Sequence, residues 1–278
     1  MIEQLRKAKI QVWGDGILDV YHYGKSDRIC PEAPVPVFIE TSRDSRAGGA
    51  ANVVRNLDAL GVRTISTLSD FVDWSEKHRY LVSGHQLLRV DADKMAKPGR
   101  AELRQNVDCL IISDYAKGWC GFDECRWIIS EAIKRGIPVV VDPKGTDWAK
   151  YKGCTVICPN ELEAKTMTGI HGQFMPKFPA VLYKLGARGM WLDQEGKESI
   201  KIEAQAKQVY DVTGAGDTVV AVLAAMLAIG KSLEDAAVLA NVAAGYVVGQ
   251  PGTATCPVQI LVAAEEIDDT LLACYTAP

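Results

Sequence analysis

The sequence predicts an α/β protein: a mostly parallel sheet flanked by helices, with a small additional β sheet. Two observations carry this. From residue 107 onward, short β-branched apolar runs alternate with helical segments. Those runs are apolar throughout rather than at every second position, as strands covered on both faces require. The first ninety residues depart from the pattern with extra short strands, which are expected to form a lid on the α/β body.

The elements follow in order. Lys9–Gly14 reads as a strand running into a turn, and Val35–Glu40 as a short extended segment whose prolines suit a sheet edge. Gly49–Leu60 has helical periodicity and stops at Gly61, a residue suited to the position after a helix. Arg63–Leu68 is a strand. Tyr80–Val82 and Gln86–Val90 flank Ser83-Gly84-His85 as a hairpin. Val107–Ser113, Ile137–Asp142 and Thr155–Cys158 are buried strands, separated by a helix over Phe122–Arg135. Asn160–Met167 is helical and Met190–Leu192 a short strand. Ala215–Ile229 and Leu233–Val248 are the strongest helices. The lid strands are expected from about residues 20–40 and 79–91, and the whole of 1–278 is read as one domain.

Composition narrows the function. A chain of 278 residues, 48% of them hydrophobic, fits one sizeable core. A net charge of −4 and a pI near 5.7 give no nucleic-acid surface. The longest apolar run, Val219–Ile229, is too short to span a membrane, and the N-terminus lacks a signal-peptide core, so a cytoplasmic location is expected. The eight cysteines are then reduced thiols; the spacings Cys120/Cys125 and Cys154/Cys158 are looser than metal pairs, and buried small hydrophobes account for them. His22, His78, His85 and His171 are scattered and form no ligand pair on one helix face.

The chemistry concentrates in Asp211-Val-Thr-Gly-Ala-Gly-Asp217, followed at once by an apolar helix. Small residues at a helix N-terminus let backbone N–H groups approach an anion, and the helix dipole favours it. Asp217 then puts a carboxylate beside that anion. Carboxylates are poor phosphate ligands, whereas one placed there is suited to take a proton from a hydroxyl attacking phosphorus. Gly-rich turns and first-turn aspartates are also common without any such role. In an α/β sheet, ligands sit at the carboxyl ends of the strands, which singles out Asp15, Asp19, Asp114, Asp142 and Asn160.

The full Asp211–Asp217 string resembles the second signature of the pfkB, ribokinase-like carbohydrate kinases. Gly48-Gly-Ala-Ala-Asn52 resembles the first signature, and Asn160-Glu-Leu-Glu163 the family's Asn-x-x-Glu pattern. Ser26–Pro36, Leu87–Asp91, Ser113–Gly118 and Asp142–Asp147 are similar to the heptose 7-phosphate kinases of ADP-heptose synthesis, and the similarity covers nearly the whole chain. The resemblance implies a ribokinase-like fold and ATP-dependent phosphorylation of a sugar phosphate at its anomeric hydroxyl. Asp217 is then the general base, and the backbone of Gly214, Ala215 and Gly216 the anion hole. Asp15, Asp19, Gly48, Gly49, Asn52 and Asp114 line the sugar site, with Arg28, Arg89 and Lys117 as candidates for the sugar's own phosphate. Arg89 is nearly as well explained by pairing with a neighbouring acid.

Lys144, Asn160, Glu163, Lys184, Gly186, Gly189, Asp211, Thr213 and Asn241 fall on the nucleotide side. Asn160 and Glu163 organise Mg²⁺, and by themselves they also read as a helix capping box. The resemblance further implies a homodimer formed through the lid and a separate nucleotidyltransferase acting later in the pathway. Three departures stand out. No His-x-Gly-His motif of a nucleotidyltransferase half occurs, the segments Asp70–Lys77 and Thr168–Val181 are short, and Lys184 stands where the family usually has threonine. A kinase for another sugar or nucleoside, or a lid-truncated binding relative without activity, remain as alternatives.

Overall fold

The computed structural model describes residues 1–169, 177–205, 209–250 and 252–268. His171, Cys274 and half of the short segment Thr168–Val181 lie outside them. Two sheets make up the molecule. The larger contains β1 (Lys9–Gly14), β4 (Arg63–Leu68), β7 (Cys109–Ser113), β8 (Val139–Asp142), β9 (Val156–Ile157), β10 (Ala180–Lys184), β11 (Met190–Gln194) and β12 (Ile200–Ile202). Their spatial order is β12-β11-β10-β9-β8-β7-β1-β4. From β10 to β4 every pairing is parallel, and β11 and β12 are added antiparallel at one edge.

Helices cover both faces, as parallel strands of continuous apolar sequence demand. On one side lie α2 (Ala50–Ala59), α5 (Ala215–Ala228), α6 (Leu233–Val248) and α7 (Val258–Asp268), packed with Ile10, Val12, Ile111 and Val140. On the other, α3 (Phe122–Lys134) covers Trp13, Leu110, Ile112 and Val141. Two more helices are α1 (Ile2–Lys7) and α4 (Glu161–Gly169). The strands β10 and β12 and the helices α1 and α7 were not among the elements read from sequence. β12 has only three residues and β10 ends in Tyr183-Lys184, so neither presents a long apolar run.

The second sheet has the order β3-β2-β5-β6, built from β2 (Gly16–Lys25), β3 (Ile39–Gly49), β5 (Ser75–Val82) and β6 (His85–Ala92). Its strands therefore lie over 16–25, 39–49, 75–82 and 85–92 rather than about 20–40 and 79–91. Of the proline-bearing segment Val35–Glu40, only Ile39 and Glu40 enter a strand, and Pro36 makes an isolated bridge to Ile29. Asp19 lies inside β2 and not in a loop.

The tightest junction between the two sheets lies at Asp15 and Gly49. β1 of the body becomes β2 of the lid across Asp15 alone, and β3 returns into α2 at Gly49 and Ala50. The Ala50 amide donates to the Asp15 carbonyl (3.0 Å), closing this junction. Gly49 has φ +58, and a Cβ there would stand 2.8 Å from that same carbonyl, so only glycine fits. The hairpin β5–β6 turns at Ser83 and Gly84, both at positive φ, matching the tight turn expected from sequence. Only residues 69–74 separate β4 from β5, so β4 ends the large sheet.

Candidate active site

The helix α5 begins where the chain leaves a tight turn. The Tyr210 and Asp211 amides donate to the Val248 carbonyl (2.7 and 3.1 Å), and the Asp211 carboxylate accepts from the Thr213 amide (2.8 Å). Asp211 and Thr213 thus fold the turn and stand outside the wall of the adjoining cavity. Gly214 has φ +81, and a Cβ there would lie 2.6 Å from Asn52 Nδ2. No side chain caps the N-terminus of α5. The Ala215 N–H donates to the Val212 carbonyl (3.3 Å), and those of Gly216 and Asp217, with the dipole behind them, are left for an anion among the described residues.

Asp217 sits one turn in, buried, and is gripped from both sides. Tyr115 Oη donates to its Oδ1 (2.6 Å) and Asn52 Nδ2 to its Oδ2 (2.8 Å). Burial pushes its pKa up to about 6, and the nearby Asp142 carboxylate adds to the rise; the hydrogen bonds from Tyr115 and Asn52 and the charge of Lys184 oppose it. A carboxylate poised there is ionised at neutral pH yet basic enough to take a proton. The Tyr115 hydroxyl is held well above its ordinary value by burial and by Asp217, so it stays a donor. Asn52 was expected at the sugar; its amide instead braces the base, and its own carbonyl oxygen accepts from Arg55 (3.3 Å).

Three acids expected at the sugar are engaged by the protein. Asp15 accepts backbone N–H groups from Tyr115 (2.8 Å), Lys117 (3.2 Å) and Trp119 (3.0 Å). Asp114 accepts from the Ala116 amide (2.6 Å), Lys150 Nζ (2.5 Å) and Tyr151 Oη (2.6 Å). Both carboxylates shape the 114–119 loop, in which Ala116 has φ +54, and so set where Tyr115 meets Asp217. Their ligand atoms and Cys120 Sγ lie within 4.8 Å of one another, but the hydrogen bonds just named already satisfy the carboxylates. Asp19 accepts from Arg79 Nη2 (2.8 Å), and its carboxylate fills the space where a Gly48 Cβ would be, 2.1 Å from Oδ2.

Beside α5 opens a cavity of about 470 Å³, bounded by the carboxyl ends of β8 and β10 and by α6. Apolar atoms of Met190, Val212, Ala244 and Val248 line one part, and charged groups the other. Asn160 and Glu163 form the capping box read from sequence: Asn160 N donates to Glu163 Oε2 (2.8 Å) and Glu163 N to Asn160 Oδ1 (2.9 Å). Glu163 Oε1 also accepts from Lys144 Nζ (2.6 Å). With these atoms engaged, the pair suits a Mg²⁺ held through its water shell rather than directly. Gly186 and Gly189 contribute backbone to the wall. Asn241 reaches the wall, but its amide donates to the Glu203 carbonyl (2.7 Å), tying α6 to the chain after β12. Lys184, at the end of β10, donates to Asp142 Oδ1 (2.5 Å).

The cations expected for the sugar's phosphate are exposed or already paired with acids, and none hydrogen-bonds Tyr115 or Asp217 among the described residues. Arg28 is exposed. Arg89 is exposed and bidentate to Asp91 (2.8 and 3.0 Å), and Lys117 Nζ pairs with Asp93 (2.6 Å). Strand register groups other cations around Asp19. Asp19 stands opposite Arg46 on one side and Lys77 on the other, and Tyr21 opposite Arg79, all on one face of the lid. Lys77 Nζ lies 5.4 Å from the Tyr115 ring centre, the same ring whose hydroxyl holds Asp217. Lys77 has no ion pair among the described residues, and burial pulls its pKa down against the opposing charges of Asp19 and Asp91. Tyr115, Lys77 and Arg79 were missed from sequence. Tyr115 sits in the Ser113–Gly118 string, and Lys77 and Arg79 share the two-residue spacing of one strand face.

An α/β body with a helix N-terminus free of side-chain caps among the described residues, a buried carboxylate beside it and an overlying β lid is the architecture of the ribokinase-like carbohydrate kinases, phosphotransferases with an alcohol as acceptor. The model of the pfkB family carbohydrate kinases matches residues 106–260, and the chain belongs to that family. It is 38% identical to the bifunctional protein HldE of Aeromonas hydrophila subsp. hydrophila, over 93% of this chain and 64% of that protein. Against the HldE of Escherichia fergusonii the figures are 38%, 91% and 62%, so the chain spans less than two thirds of these relatives. Among solved structures, Arabidopsis thaliana ribokinase complexed with ribose and ATP superposes with a TM-score of 0.69 at 19% identity, covering 92% of this chain and 98% of that one. Escherichia coli phosphofructokinase-2 gives 0.67 at 18%, covering 92% and 97%. Within the described residues no helix is long and apolar enough to cross a membrane, and the seven cysteines there are free.

Proposed function

We propose that the protein transfers the γ-phosphoryl group of ATP to the anomeric hydroxyl of D-glycero-β-D-manno-heptose 7-phosphate, giving the 1,7-bisphosphate. The observation that supports this most is the pairing of a buried carboxylate, Asp217, with a lid face on which Lys77 has no ion pair among the described residues, beside Arg79 paired with Asp19 and Arg46 paired with Asp44. A neutral sugar needs no such face, whereas a remote phosphate does. The likeness to HldE supports the heptose, and the ribokinase complex supports ATP.

The sugar hydroxyl gives its proton to Asp217 as its oxygen bonds to the γ-phosphorus. The bond from that phosphorus to the β,γ-bridging oxygen breaks, and ADP leaves. The N–H groups at Gly214–Gly216 stabilise charge on the transferring group. Asn160 and Glu163 would hold Mg²⁺ through its water shell, and the ion would supply positive charge to the nucleotide phosphates. Contacts to the sugar's own phosphate orient the hydroxyl for attack. This reading carries with it a cytoplasmic enzyme, a nucleotidyltransferase acting later on the product, and a homodimer through the lid. The exposed apolar groups Leu87, Leu88 and Val90 on β6 support the dimer.

The test is ADP release with ATP and a panel of sugars. The expected result is a kcat/KM for heptose 7-phosphate at least tenfold above that for unphosphorylated heptose. A preference for an unphosphorylated sugar or nucleoside would replace this reading with another kinase, and no ADP release with any sugar would remove the kinase reading.

A further inference from the structure

Among the described residues two ammonium groups border the cavity beside α5, and they are placed differently. Lys144 is half exposed and pairs with Glu163, a residue already used to cap α4. Lys184 is largely buried, and its partner Asp142 is buried with it. The Lys184 side chain runs across the first turn of α5: a Cβ built on Gly216 would meet its Nζ at 3.4 Å and its Cδ and Cε at 4.0 Å. The ammonium therefore lies at the open N–H groups of the helix start. Burial works against its charge, but Asp142, together with Cys158 and Glu163, outweighs burial, and its pKa stands above the ordinary lysine value. It carries a full positive charge where the backbone supplies only partial ones.

We propose that Lys184 is a catalytic residue that grips the transferring phosphoryl group, and that Asp142 holds it in place when no nucleotide is bound. The inference rests on the kinase reading above and adds to it a named charge for the transition state. One cation within hydrogen-bonding reach of the equatorial oxygens opposes the charge that builds as the bond to ADP breaks, and a preorganised charge in a dry site is worth more than in water. Asp142 has a second consequence. Its charge raises the pKa of Asp217 while that of Lys184 lowers it, so the pair sets the proton affinity of the base.

The experiment compares the parent with Lys184→Met, Lys184→Arg and Lys184→Met/Asp142→Asn. The double variant leaves no unpaired buried carboxylate, so it folds even where the single one does not. Calorimetry measures MgATP and MgADP binding, and ADP release measures turnover. Loss of Lys184 is expected to weaken MgATP by about 10–100-fold, the worth of one charged hydrogen bond, with MgADP changed less than twofold. The kcat is expected to fall by roughly 10²–10³-fold. In Lys184→Met the acid limb of the rate moves to higher pH, and Lys184→Arg recovers part of the loss. If MgATP and MgADP weaken equally, or if the double variant keeps kcat within threefold, Lys184 only packs the pocket and the proposal falls. If the parent phosphorylates no sugar, the kinase reading fails, and the contrast between ATP and ADP binding still decides the role of Lys184.

Discussion

Strand β7 and strand β6 mark the two extremes of this molecule. Every residue of Cys109–Ser113 is buried, and every residue of His85–Ala92 is exposed. In the body, side chains are dictated by packing against helices on both faces. In the lid, one face presents Asp19, Arg46, Lys77, Arg79, Arg89 and Asp91 to the cleft, and only part of that face is covered by protein. Charged side chains on a sheet face add little to folding. Substitutions in the body therefore report on the fold unless the residue touches the reaction, whereas substitutions on the lid face report on the ligand. Ile111→Ala in β7 is expected to cost about 2–5 kcal/mol, and Leu88→Ala in β6 less than about 0.5 kcal/mol in the monomer.

Asp217→Asn is the sharpest case, because it is a body residue that should break the packing rule. Turnover is expected to fall by roughly 10²–10⁴-fold, the usual loss with a general base. Stability should move the other way. The folded-state pKa of Asp217, about 6, lies above the ordinary 3.8, so the folded protein favours the protonated acid. That contribution is complete below pH 3.8 and is lost as pH rises through about 6. At pH 7.5 the buried charge is a net cost on the order of 1–3 kcal/mol. The asparagine variant should thus melt at a higher temperature than the parent at pH 7.5, and the gap should close toward pH 4. A melting temperature below that of the parent at both pH values would mean that Asp217 is retained for packing.

The same contrast explains what the sequence revealed. The body was legible because Val139–Asp142 and Cys109–Ser113 are β-branched runs whose only stable place is a covered parallel sheet, and the Asp211–Asp217 turn can open only a helix. The lid was not legible in the same way. Arg43-Asp44-Ser45-Arg46 lies in the middle of β3 and has no strand-like composition. Its pairing with β2, and that of β2 with β5, joins residues far apart in the chain. Asp15 and Asp114 had the residue type and strand-end position of ligands, and only coordinates reveal that loop amides, a lysine and a tyrosine already occupy them. Lys77 and Arg79 become visible once the register with Asp19 and Tyr21 is known.

On the lid face, Lys77→Ala and Arg79→Ala should each lower kcat/KM for heptose 7-phosphate by roughly 10–100-fold and leave that for the unphosphorylated sugar much less changed, with melting temperatures close to the parent. Arg79→Ala also frees Asp19 from its ion pair, so it is expected to be the less selective of the two. Equal losses on both sugars would assign these residues to shaping the lid instead.

A smaller effect tests the junction between the two regions. In the proposed mechanism Asp217 acts as the ionised carboxylate, so kcat/KM is expected to rise with pH through an inflection near 6. The Tyr115 hydroxyl donates to the ionised carboxylate and lowers its pKa, and Tyr115→Phe removes that bond. The acid limb should then move to higher pH, while the rate on the alkaline side changes little. A limb that stays in place would mean that Tyr115 orders the loop without tuning the base.

The smallest effect is expected at Arg89, and it separates charge on the right face from charge in the right place. Arg89 faces Arg79 across the β5–β6 pair, so it shares the cleft side of the lid. Its guanidinium, however, is exposed and already matched by both oxygens of Asp91. To grip a phosphate it would have to give up that pair, and the gain would be the difference between two similar charge-assisted contacts. Lys77 has no ion pair to surrender among the described residues and lies against the ring whose hydroxyl holds Asp217. Arg89→Ala should therefore change kcat/KM for heptose 7-phosphate by less than threefold, with the preference over the unphosphorylated sugar intact. A loss as large as that of Lys77→Ala would mean that Arg89 leaves Asp91 when the lid closes, and that the phosphate lies at the outer edge of the lid rather than over Tyr115.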